Sequence, residues 1–411
     1  EVKDDYFRFN GVRNSITKMV EDLNLQYEFT GSRQIVNGVL NSGEFKALFL
    51  PQSIAMSDEE VARVREFVEN GGTVIADCRC ATMNERGRDL GQSQLDDLFG
   101  ISRHGKRSAV TGTVSGIADF RNVPLKGKSL GLTVGETNIQ ARGGTALAQQ
   151  KSVPAVMVRE VGKGLAIYLN LEVFPYQHWR VRPGPEAVMR EFLGALLAEA
   201  GIEPRVRVLD TRGTRLPAVE VVNYQLGSQT IVAIFRNPQL DPGGWADGPR
   251  VPERGWGEGI DNSALEKPVD AVIHLPQGFH VYDVRAAKPR GQISSLETTL
   301  DPWAPLVLTL SPTAVAGLRL QTGPRIERGH AGEIEITIED NPAGMQPRII
   351  HLDVFAPDDN LAEPYSGNFL LDGQAGKLTI PFAWNDASGV WKVRAQDIAT
   401  AVMAETSVHV T

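Results

Sequence analysis

Two cysteines, Cys78 and Cys80, follow an apolar run that reads as a buried strand over residues 73 to 77. A cysteine on a sharp turn between a strand and a helix is a typical nucleophile, because the helix N-terminus lowers the pKa of the thiol. Such a turn needs small residues on both sides of the nucleophile. Ala76 meets this need, whereas Arg79 and Cys80 crowd the other side. Cys78 is therefore a candidate nucleophile, and a buried or loop thiol is the favoured interpretation.

Other residue types that carry chemistry lack the spacing that their chemistry needs. None of the seven histidines pairs with another at metal-ligand spacing, and neither cysteine has sequence neighbours that would complete a tetrahedral set, so we expect no metal site. The acidic runs at residues 58–60 and 358–359 read as the first turn of a helix and a solvated loop. The glycines lack the pattern of a dinucleotide or phosphate-binding loop, and we expect no cofactor.

The residues from 237 to 262 form a long connection between two predicted strands, and it carries Trp245 and Trp256 among acidic and arginine side chains. A connection longer than ~15 residues without its own secondary structure is uncommon in a compact domain. An indole ring suits both a protein interface and the face of a sugar, because it is apolar with a polar edge. We expect both rings to be buried against another domain or subunit; carbohydrate contact and a mobile loop are the alternatives. Three further tryptophans read as core or corner residues: Trp303, Trp384 and Trp391.

Residues 46 to 80 predict a strand, a helix and a second strand in close succession. Two short apolar runs of this kind are typical of a parallel sheet that is covered on both faces. Ser57 and Glu60 form a capping box at the start of the helix, and Gly71 and Gly72 supply its stop. The apolar face of the helix is given by Val61, Val64, Phe67 and Val68. The two cysteines then lie at the carboxyl end of the second strand, where open α/β sheets usually place their chemistry.

Over roughly residues 10 to 205, the chain resembles the trimerisation domain of the family 42 glycoside hydrolases, the bacterial β-galactosidases. The resemblance rests on the runs LFLP, SDEEVARVREFVENGGTVIAD, NERGR, LDDLFGI, VPAVMVREVGKGLAIYLN and VMREFLGALLAEAGIEP. It implies a class I glutamine amidotransferase-like fold and self-association through this domain. It also implies that the two catalytic glutamates belong to a (β/α)8 barrel, which at ~250 residues does not fit before residue 10.

The same resemblance bears on the candidate nucleophile. Class I amidotransferases carry a His-Pro-Glu motif after their last catalytic strand. The matching region here reads Leu169, Asn170, Leu171 and Glu172, and the nearest histidine is His178. The spacing therefore departs from that of an active amidotransferase.

The pattern of elements predicts three domains. Residues 1–205 alternate strands and helices, as in an amidotransferase-like (flavodoxin-like) α/β domain. Residues 206–322 change to a period of two and read as a small antiparallel β domain. Residues 323–411 continue that period, with turn residues between short strands, as in an immunoglobulin-like or fibronectin type III-like β-sandwich.

Within the α/β domain, helices are expected at residues 12–23 and 94–99 and from residue 185 onward. A doubly wound domain normally begins with a strand. We expect that strand either in imperfect form at residues 6–9 or outside the given sequence.

Charge and composition exclude some classes of partner. A formal net charge of −8 without a basic cluster argues against nucleic acid and anionic membranes. The sequence holds no apolar run near the ~18 residues that a membrane helix needs, so we expect no membrane insertion. Two cysteines this close do not make a disulfide framework and leave the compartment open. The β domains favour a secreted or periplasmic protein slightly over a cytoplasmic one.

The sequence therefore predicts the non-catalytic assembly and accessory region of a carbohydrate-active, β-galactosidase-like enzyme. We expect self-association through the α/β domain, with carbohydrate as a candidate ligand. Two alternatives stay open: an amidotransferase-like hydrolase that uses Cys78, and a cell-surface or secreted binding protein.

Overall fold

The computed structural model describes residues 2–105, 112–181, 185–236, 266–339 and 347–411. Trp245 and Trp256 lie outside the described residues, so the expectation about their burial stays a prediction. The described residues are mostly β, with several sheets and few helices. None of their helices is both long and apolar enough to cross a membrane.

The chain divides into two compact units. The first is formed by the described parts of Glu1–Arg205 and by Arg215–Val219; the second contains Val206–Thr214, Glu220–Arg236 and the described parts of Leu265–Thr411. The division into three domains with boundaries after residues 205 and 322 stays a prediction.

The helices all belong to the first unit. They are α1 (Val2–Asp22), α2 (Ser32–Val36), α3 (Asp58–Glu69), α4 (Tyr176–Trp179) and α5 (Pro185–Glu199), with a 3-10 turn at Val39–Asn41. The expectation of a strand at residues 6–9 is wrong, because these residues lie within α1. No proline interrupts the chain there, and the apolar spacing that buries Val12, Ile16 and Met19 is helical.

The helix predicted at residues 94–99 is also wrong. This segment is a series of turns in which Phe99 N–H bonds to the Leu95 carbonyl and Gly100 N–H to the Asp97 carbonyl. Gly100 then takes a left-handed φ of 67°. A Cβ on Gly100 would lie 2.3 Å from the backbone nitrogen of Gly144, so the close approach of these two segments ends the turn before a helix can form.

The strands of the first unit form one large sheet and one small one. The strands are β1 (Ala47–Leu50), β2 (Thr73–Asp77), β3 (Ile101–Arg103), β4 (Ser115–Gly116), β5 (Ile139–Ala141), β6 (Thr145–Gln150), β7 (Val153–Val161) and β8 (Gly164–Leu169). The six-stranded sheet has the order β1-β2-β8-β7-β6-β4, and β3 pairs with β5. β1, β2 and β8 are parallel, as predicted for the first two, and β7 and β8 form the predicted antiparallel hairpin.

Local sequence explains how α3 is placed between β1 and β2. Ser57 Oγ accepts from Glu60 N–H at 3.2 Å and the Glu60 carboxylate accepts from Ser57 N–H at 2.8 Å, which confirms the predicted capping box. Gly71 ends the helix with a φ of 116°. A Cβ on Gly164, in the β7-β8 turn, would lie 2.2 Å from the carbonyl oxygens of Val68 and Gly72. Because Gly164 has no side chain, the backbone at the start of β8 can pack directly against the backbone at the end of α3.

The two faces of the large sheet bury separate apolar clusters. One face packs against α1 and α5 through residues such as Met19, Phe192 and Leu196. The other face packs against α2 and α3 through residues such as Val64 and Phe67. The strands between them are buried on both sides, as the short apolar runs predict.

The remaining strands form two pairs of sheets. They are β9 (Arg207–Asp210), β10 (Val219–Leu226), β11 (Gln229–Arg236), β12 (Val269–His274), β13 (His280–Asp283), β14 (Lys288–Gln292), β15 (Ser295–Leu300), β16 (Leu306–Ser311), β17 (Gly317–Thr322), β18 (Arg325–Ile326), β19 (Ala331–Glu339), β20 (Arg348–Phe355), β21 (Gly367–Leu371), β22 (Ala375–Pro381), β23 (Gly389–Asp397) and β24 (Met403–Val410), with a 3-10 turn at Glu363–Tyr365. The first pair has the orders β10-β11-β16-β13-β14 and β15-β12-β9, and the second has the orders β17-β19-β22 and β18-β24-β23-β20-β21.

The second pair of sheets encloses its own apolar core. Strand residues with a period of two, such as Ile336 on β19 and Val393 on β23, are fully buried in it. Trp391 is 3% exposed and belongs to this core, as predicted. Trp303 and Trp384 are 68% and 75% exposed, so neither is a core residue. Both lie in connections between strands, Trp303 after β15 and Trp384 after β22.

The capping box of α3 gives a first prediction. We expect Ser57→Ala to lower the free energy of unfolding by about 1 kcal/mol, because the Glu60 amide loses its acceptor at the helix start. Urea denaturation measures the change. Ser57→Thr is the matched control, since it keeps the hydroxyl, and it should retain most of the stability. Equal losses in both variants would contradict this role of the hydroxyl.

Candidate functional site

The carboxyl ends of β1, β2 and β8 meet at one edge of the six-stranded sheet. The chain leaves β1 and β2 through residues in the left-handed region, Gln52 with a φ of 45° and Arg79 with a φ of 66°. A residue with a side chain is strained in this region, by about 1 to 3 kcal/mol. Such strain persists where neighbouring groups hold the backbone, and polar side chains bond to both of these turns.

The carboxylate of Glu136 is the centre of the polar groups at this edge. It accepts from Arg79 N–H at 2.9 Å and from the hydroxyl of Tyr168. The guanidinium of Arg103 binds the same carboxylate at 3.2 and 3.3 Å and donates to the Tyr168 hydroxyl at 2.9 Å. Arg103 also forms an ion pair with Asp96. We call Glu136, Arg103, Tyr168 and Arg79 N–H the Glu136 network.

The charges within the Glu136 network stabilise one another. Burial opposes the ionisation of Glu136, but the positive charge of Arg103 and the hydrogen bonds from Arg103, Tyr168 and Arg79 outweigh it and hold the pKa of Glu136 below its usual value. Burial and the Glu136 carboxylate raise the pKa of Tyr168 well above its usual value, so its hydroxyl stays a donor. The network is therefore an ionised, hydrogen-bonded centre.

Asp77, the last residue of β2, has the opposite protonation behaviour. It is 2% exposed; one carboxyl oxygen accepts from Gln52 N–H at 2.6 Å, and the other, Oδ2, has no hydrogen-bond partner among the described residues. Burial raises the pKa of Asp77 to about 8, and the negative charge of Glu136 acts in the same direction. Asp77 is thus neutral at pH 7 and holds the strained turn at Gln52.

The candidate nucleophile Cys78 lies beside these groups and is 6% exposed. Its thiol donates to Asn170 Oδ1 at 3.6 Å and to the carbonyl of Leu171 at 3.7 Å. A Cβ on Gly135 would lie 2.2 Å from the sulfur, so the 135 backbone covers the thiol closely. The structure therefore brings Cys78 together with Asn170, at the place where the amidotransferase resemblance implies a histidine.

Asn170 is fully used in structural hydrogen bonds. Its Nδ2 donates to the carbonyls of Glu136 and Pro154 at 2.7 and 2.9 Å, and its Oδ1 accepts from Glu136 N–H at 2.7 Å. An amide side chain does not take up a proton at neutral pH, so it cannot act as a general base for the thiol. Asn170 instead fixes the segment that supplies Glu136.

The remaining groups add no metal site. Cys80 is 1% exposed, and burial raises the pKa of its thiol. No group of three or more histidine, cysteine, aspartate or glutamate side chains in the described part of the chain is arranged to hold a metal ion. No sequence pattern indicates Glu136, Arg103 or Tyr168, because these residues are far apart in the chain and only the fold brings them together.

The titration of Asp77 gives a second prediction. Because its pKa is about 8 in the folded protein and about 3.9 in the unfolded chain, the folded state holds an extra proton between these values. The contribution of Asp77 to stability is therefore fully present below pH 4 and is lost as pH rises towards 8, on the order of 1 kcal/mol per pH unit. Asp77→Asn keeps the acceptor for Gln52 N–H and should remove this loss. Urea denaturation at pH 5, 7 and 9 measures both slopes.

The control for this experiment is Asp119→Asn. Asp119 is exposed, and its hydrogen bonds from Lys126 and Leu125 N–H hold its pKa below the usual value. Its contribution to stability has the opposite sign: it is present above the unfolded pKa of about 3.9 and is lost as pH falls below it. Identical pH slopes for wild type and Asp77→Asn would contradict the assignment of a neutral Asp77.

Comparisons with known proteins find one family model that matches part of the first unit. Residues 33–203 match the family model described as the beta-galactosidase trimerisation domain. No curated protein sequence matches the chain.

Three solved structures show low similarity. Gan42B, a GH42 β-galactosidase, is 17% identical, with 72% of this chain and 35% of that chain covered and a TM-score of 0.47. A catalytic mutant of Gan42B from G. stearothermophilus is 16% identical, with 73% and 36% covered and a TM-score of 0.48. The exo-carrageenase GH42 from Bacteroides ovatus is 15% identical, with 72% and 26% covered and a TM-score of 0.33.

This chain spans about a third of the length of the two Gan42B chains, 35% and 36%. The resemblance of this part of the chain to the trimerisation domain of the family 42 glycoside hydrolases, inferred from the sequence, is confirmed by the match over residues 33–203.

Proposed function

We propose that this chain is the non-catalytic assembly and accessory region of a β-galactosidase-like, carbohydrate-active enzyme. The observation that carries the proposal is the match of residues 33–203 to the β-galactosidase trimerisation domain. In this proposal the first unit joins copies of the chain. The β sheets that follow serve as accessory modules.

The arrangement of the strands supports a finer description of the fold. A parallel core of β1, β2 and β8 with helices on both faces supports an amidotransferase-like α/β domain. The three-stranded and five-stranded sheets around one core support an immunoglobulin-like or fibronectin type III-like sandwich at the end of the chain. This is the order of domains that the sequence predicts.

The surroundings of Cys78 support a non-catalytic role over the alternative of an amidotransferase-like hydrolase. The alternative has one observation in its favour, the position of Cys78 at the carboxyl end of a parallel strand, before a strained turn at Arg79. An activated cysteine needs an adjacent base or a group that stabilises the thiolate. Its neighbours Asn170 Oδ1 and the Leu171 carbonyl are acceptors, which stabilise the protonated thiol instead.

Thiol chemistry tests this choice. We expect iodoacetamide at pH 8 to leave both cysteines of the native protein unmodified over the time that alkylates free cysteine completely, because they are 6% and 1% exposed. Both should react in urea, which serves as the positive control. Rapid native alkylation of Cys78, with hydrolysis of glutamine or an aryl β-galactoside that Cys78→Ala abolishes, would favour the hydrolase.

An exposed aromatic pair on the first unit supports a surface for self-association there. Residues 26 to 34, which form the connection after α1 and the first turn of α2, are all exposed. Phe29 is 69% exposed, more than any other large apolar side chain among the described residues of this unit. Its ring meets Tyr27 edge to face at 5.5 Å, and the Tyr27 hydroxyl donates to Glu21 at 3.0 Å. An ordered aromatic pair of this kind suits an interface between protein copies.

Sedimentation measures the proposed assembly. We expect the wild-type chain to self-associate at micromolar concentration and Phe29→Ser to weaken that association at least tenfold, because the ring would be buried only in the assembly. Leu370→Ser is the matched control, since Leu370 is similarly exposed at 62% but lies in the second unit. A wild-type chain that stays monomeric at high micromolar concentration would contradict the proposal.

A further inference from the structure

The turn between β22 and β23 carries a tryptophan whose exposure needs a physical reason. Trp384 is 75% exposed, the largest value among the large apolar side chains of the described residues. Leaving an indole in water forgoes the gain from burying it, whereas Trp391, a few residues further along, is buried in the core. The turn therefore presents Trp384 to solvent although a core lies next to it.

The turn is fixed by hydrogen bonds to its backbone. The carboxylate of Asp386 accepts from Ala383 N–H at 2.7 Å and from the Tyr365 hydroxyl at 2.7 Å. The Tyr365 ring packs against the core rings of Phe382 and Trp391, with centroid distances of 5.6 and 6.0 Å. The backbone on both sides of Trp384 is thus anchored to the core.

The indole rests on a glycine that leaves room for it. A Cβ on Gly329 would lie 2.2 Å from Cε2 of Trp384, so only a residue without a side chain permits the ring to lie there. Gly329 has a left-handed φ of 80°, which also favours glycine, and its N–H donates to the Phe382 carbonyl at 2.9 Å. One side of the indole is therefore supported by backbone, and the ring remains 75% exposed.

Hydrogen-bonding groups lie beside the ring. The imidazole of His330 is exposed and meets the indole edge to face at a centroid distance of 6.2 Å. Its Nδ1 lies 3.4 Å from the Arg328 carbonyl, and an imidazole has a second ring nitrogen that can bond to a ligand. The guanidinium of Arg328 donates to the Asp386 carbonyl at 3.5 Å and is half-buried at the same place.

From this geometry we propose that Trp384, with His330 at its edge, is a binding platform for one sugar ring of a β-linked galactan. The face of a pyranose ring presents C–H groups, which match the negative face of an indole, and its equatorial hydroxyls reach groups at the edge of the indole. A platform that is rigid before binding loses little conformational entropy when the sugar stacks on it. The inference rests on the proposed function, because the match to a β-galactosidase domain is what selects a galactan as the ligand.

Affinity electrophoresis of the full chain tests the platform, with soluble β-1,4-galactan cast into the native gel. We expect the wild-type protein to be retarded and Trp384→Ala to migrate as it does without galactan, which corresponds to at least a tenfold loss of affinity. Trp384→Ala should fold normally, since the exposed ring contributes little to the core. Gly329→Ala, which displaces the ring and keeps every tryptophan, should also lose the retardation.

Trp303→Ala is the matched control. Trp303 is 68% exposed in the connection between β15 and β16, where Asp301 accepts from Trp303 N–H at 2.7 Å. This variant should be retarded like the wild type. The proposal is overturned if the wild type migrates freely in galactan, if Trp384→Ala is still retarded, or if Trp303→Ala loses retardation equally.

Sedimentation of the same variants separates the platform from the assembly. Trp384→Ala should associate like the wild type, and a loss of association in this variant would make the ring a protein contact and overturn the sugar platform. Retardation that depends on Trp384 in a chain that stays monomeric would support the platform and contradict the proposed assembly. A wild-type chain that associates but is not retarded by galactan would support the proposed assembly and contradict the platform.

Discussion

The carboxylate of Glu136 is the interaction on which the edge of the large sheet depends. It joins the turn after β2, the side chain of Arg103 on β3 and the hydroxyl of Tyr168 on β8. Removing this carboxylate would take from Arg103 one of its two acidic partners, since Asp96 is the other, and would leave Arg79 N–H and the Tyr168 hydroxyl without this acceptor. The same loss would release the left-handed backbone of Arg79, so the strain after β2 persists only while Glu136 is ionised and in place.

This dependence explains why the thiol of Cys78, at the carboxyl end of β2, is enclosed. The strained turn at Arg79 is held by the Glu136 carboxylate. Asn170 accepts from the Glu136 N–H, donates to the carbonyls of Glu136 and Pro154, and lies 3.6 Å from the thiol of Cys78. A side chain that is committed to fixing the backbone is not available for proton transfer. The hydrogen bonds of Asn170 therefore hold the backbone at this edge in place.

Sequence reasoning succeeded where a few neighbouring residues decide the structure. The capping box at Ser57 and Glu60, the two parallel strands and the hairpin at β7 and β8 depend on local spacing, and the structure has all of them. Sequence reasoning failed where contacts between residues far apart in the chain decide the local structure. The turns at residues 94–99 replace a helix because Gly100 packs against Gly144, and Glu136 meets Arg103 only after the sheet has formed. Neither contact leaves a periodic signal in the sequence.

Trp384 and Trp391 also show that sequence alone does not predict which side chains are buried when distant contacts decide. Trp384 and Trp391 have the same side chain and close positions in the chain, and a propensity scale would place both in the core. Trp384 is exposed because Asp386 fixes the turn around it and Gly329 supports its ring. Trp391 is buried because it lies on an inward position of β23, where its indole donates to the Ala387 carbonyl at 2.9 Å. Exposure of Trp384 is thus a property of the turn and of a glycine more than fifty residues away. A change at Gly329 would therefore act on the ring's position while leaving the tryptophan itself unchanged.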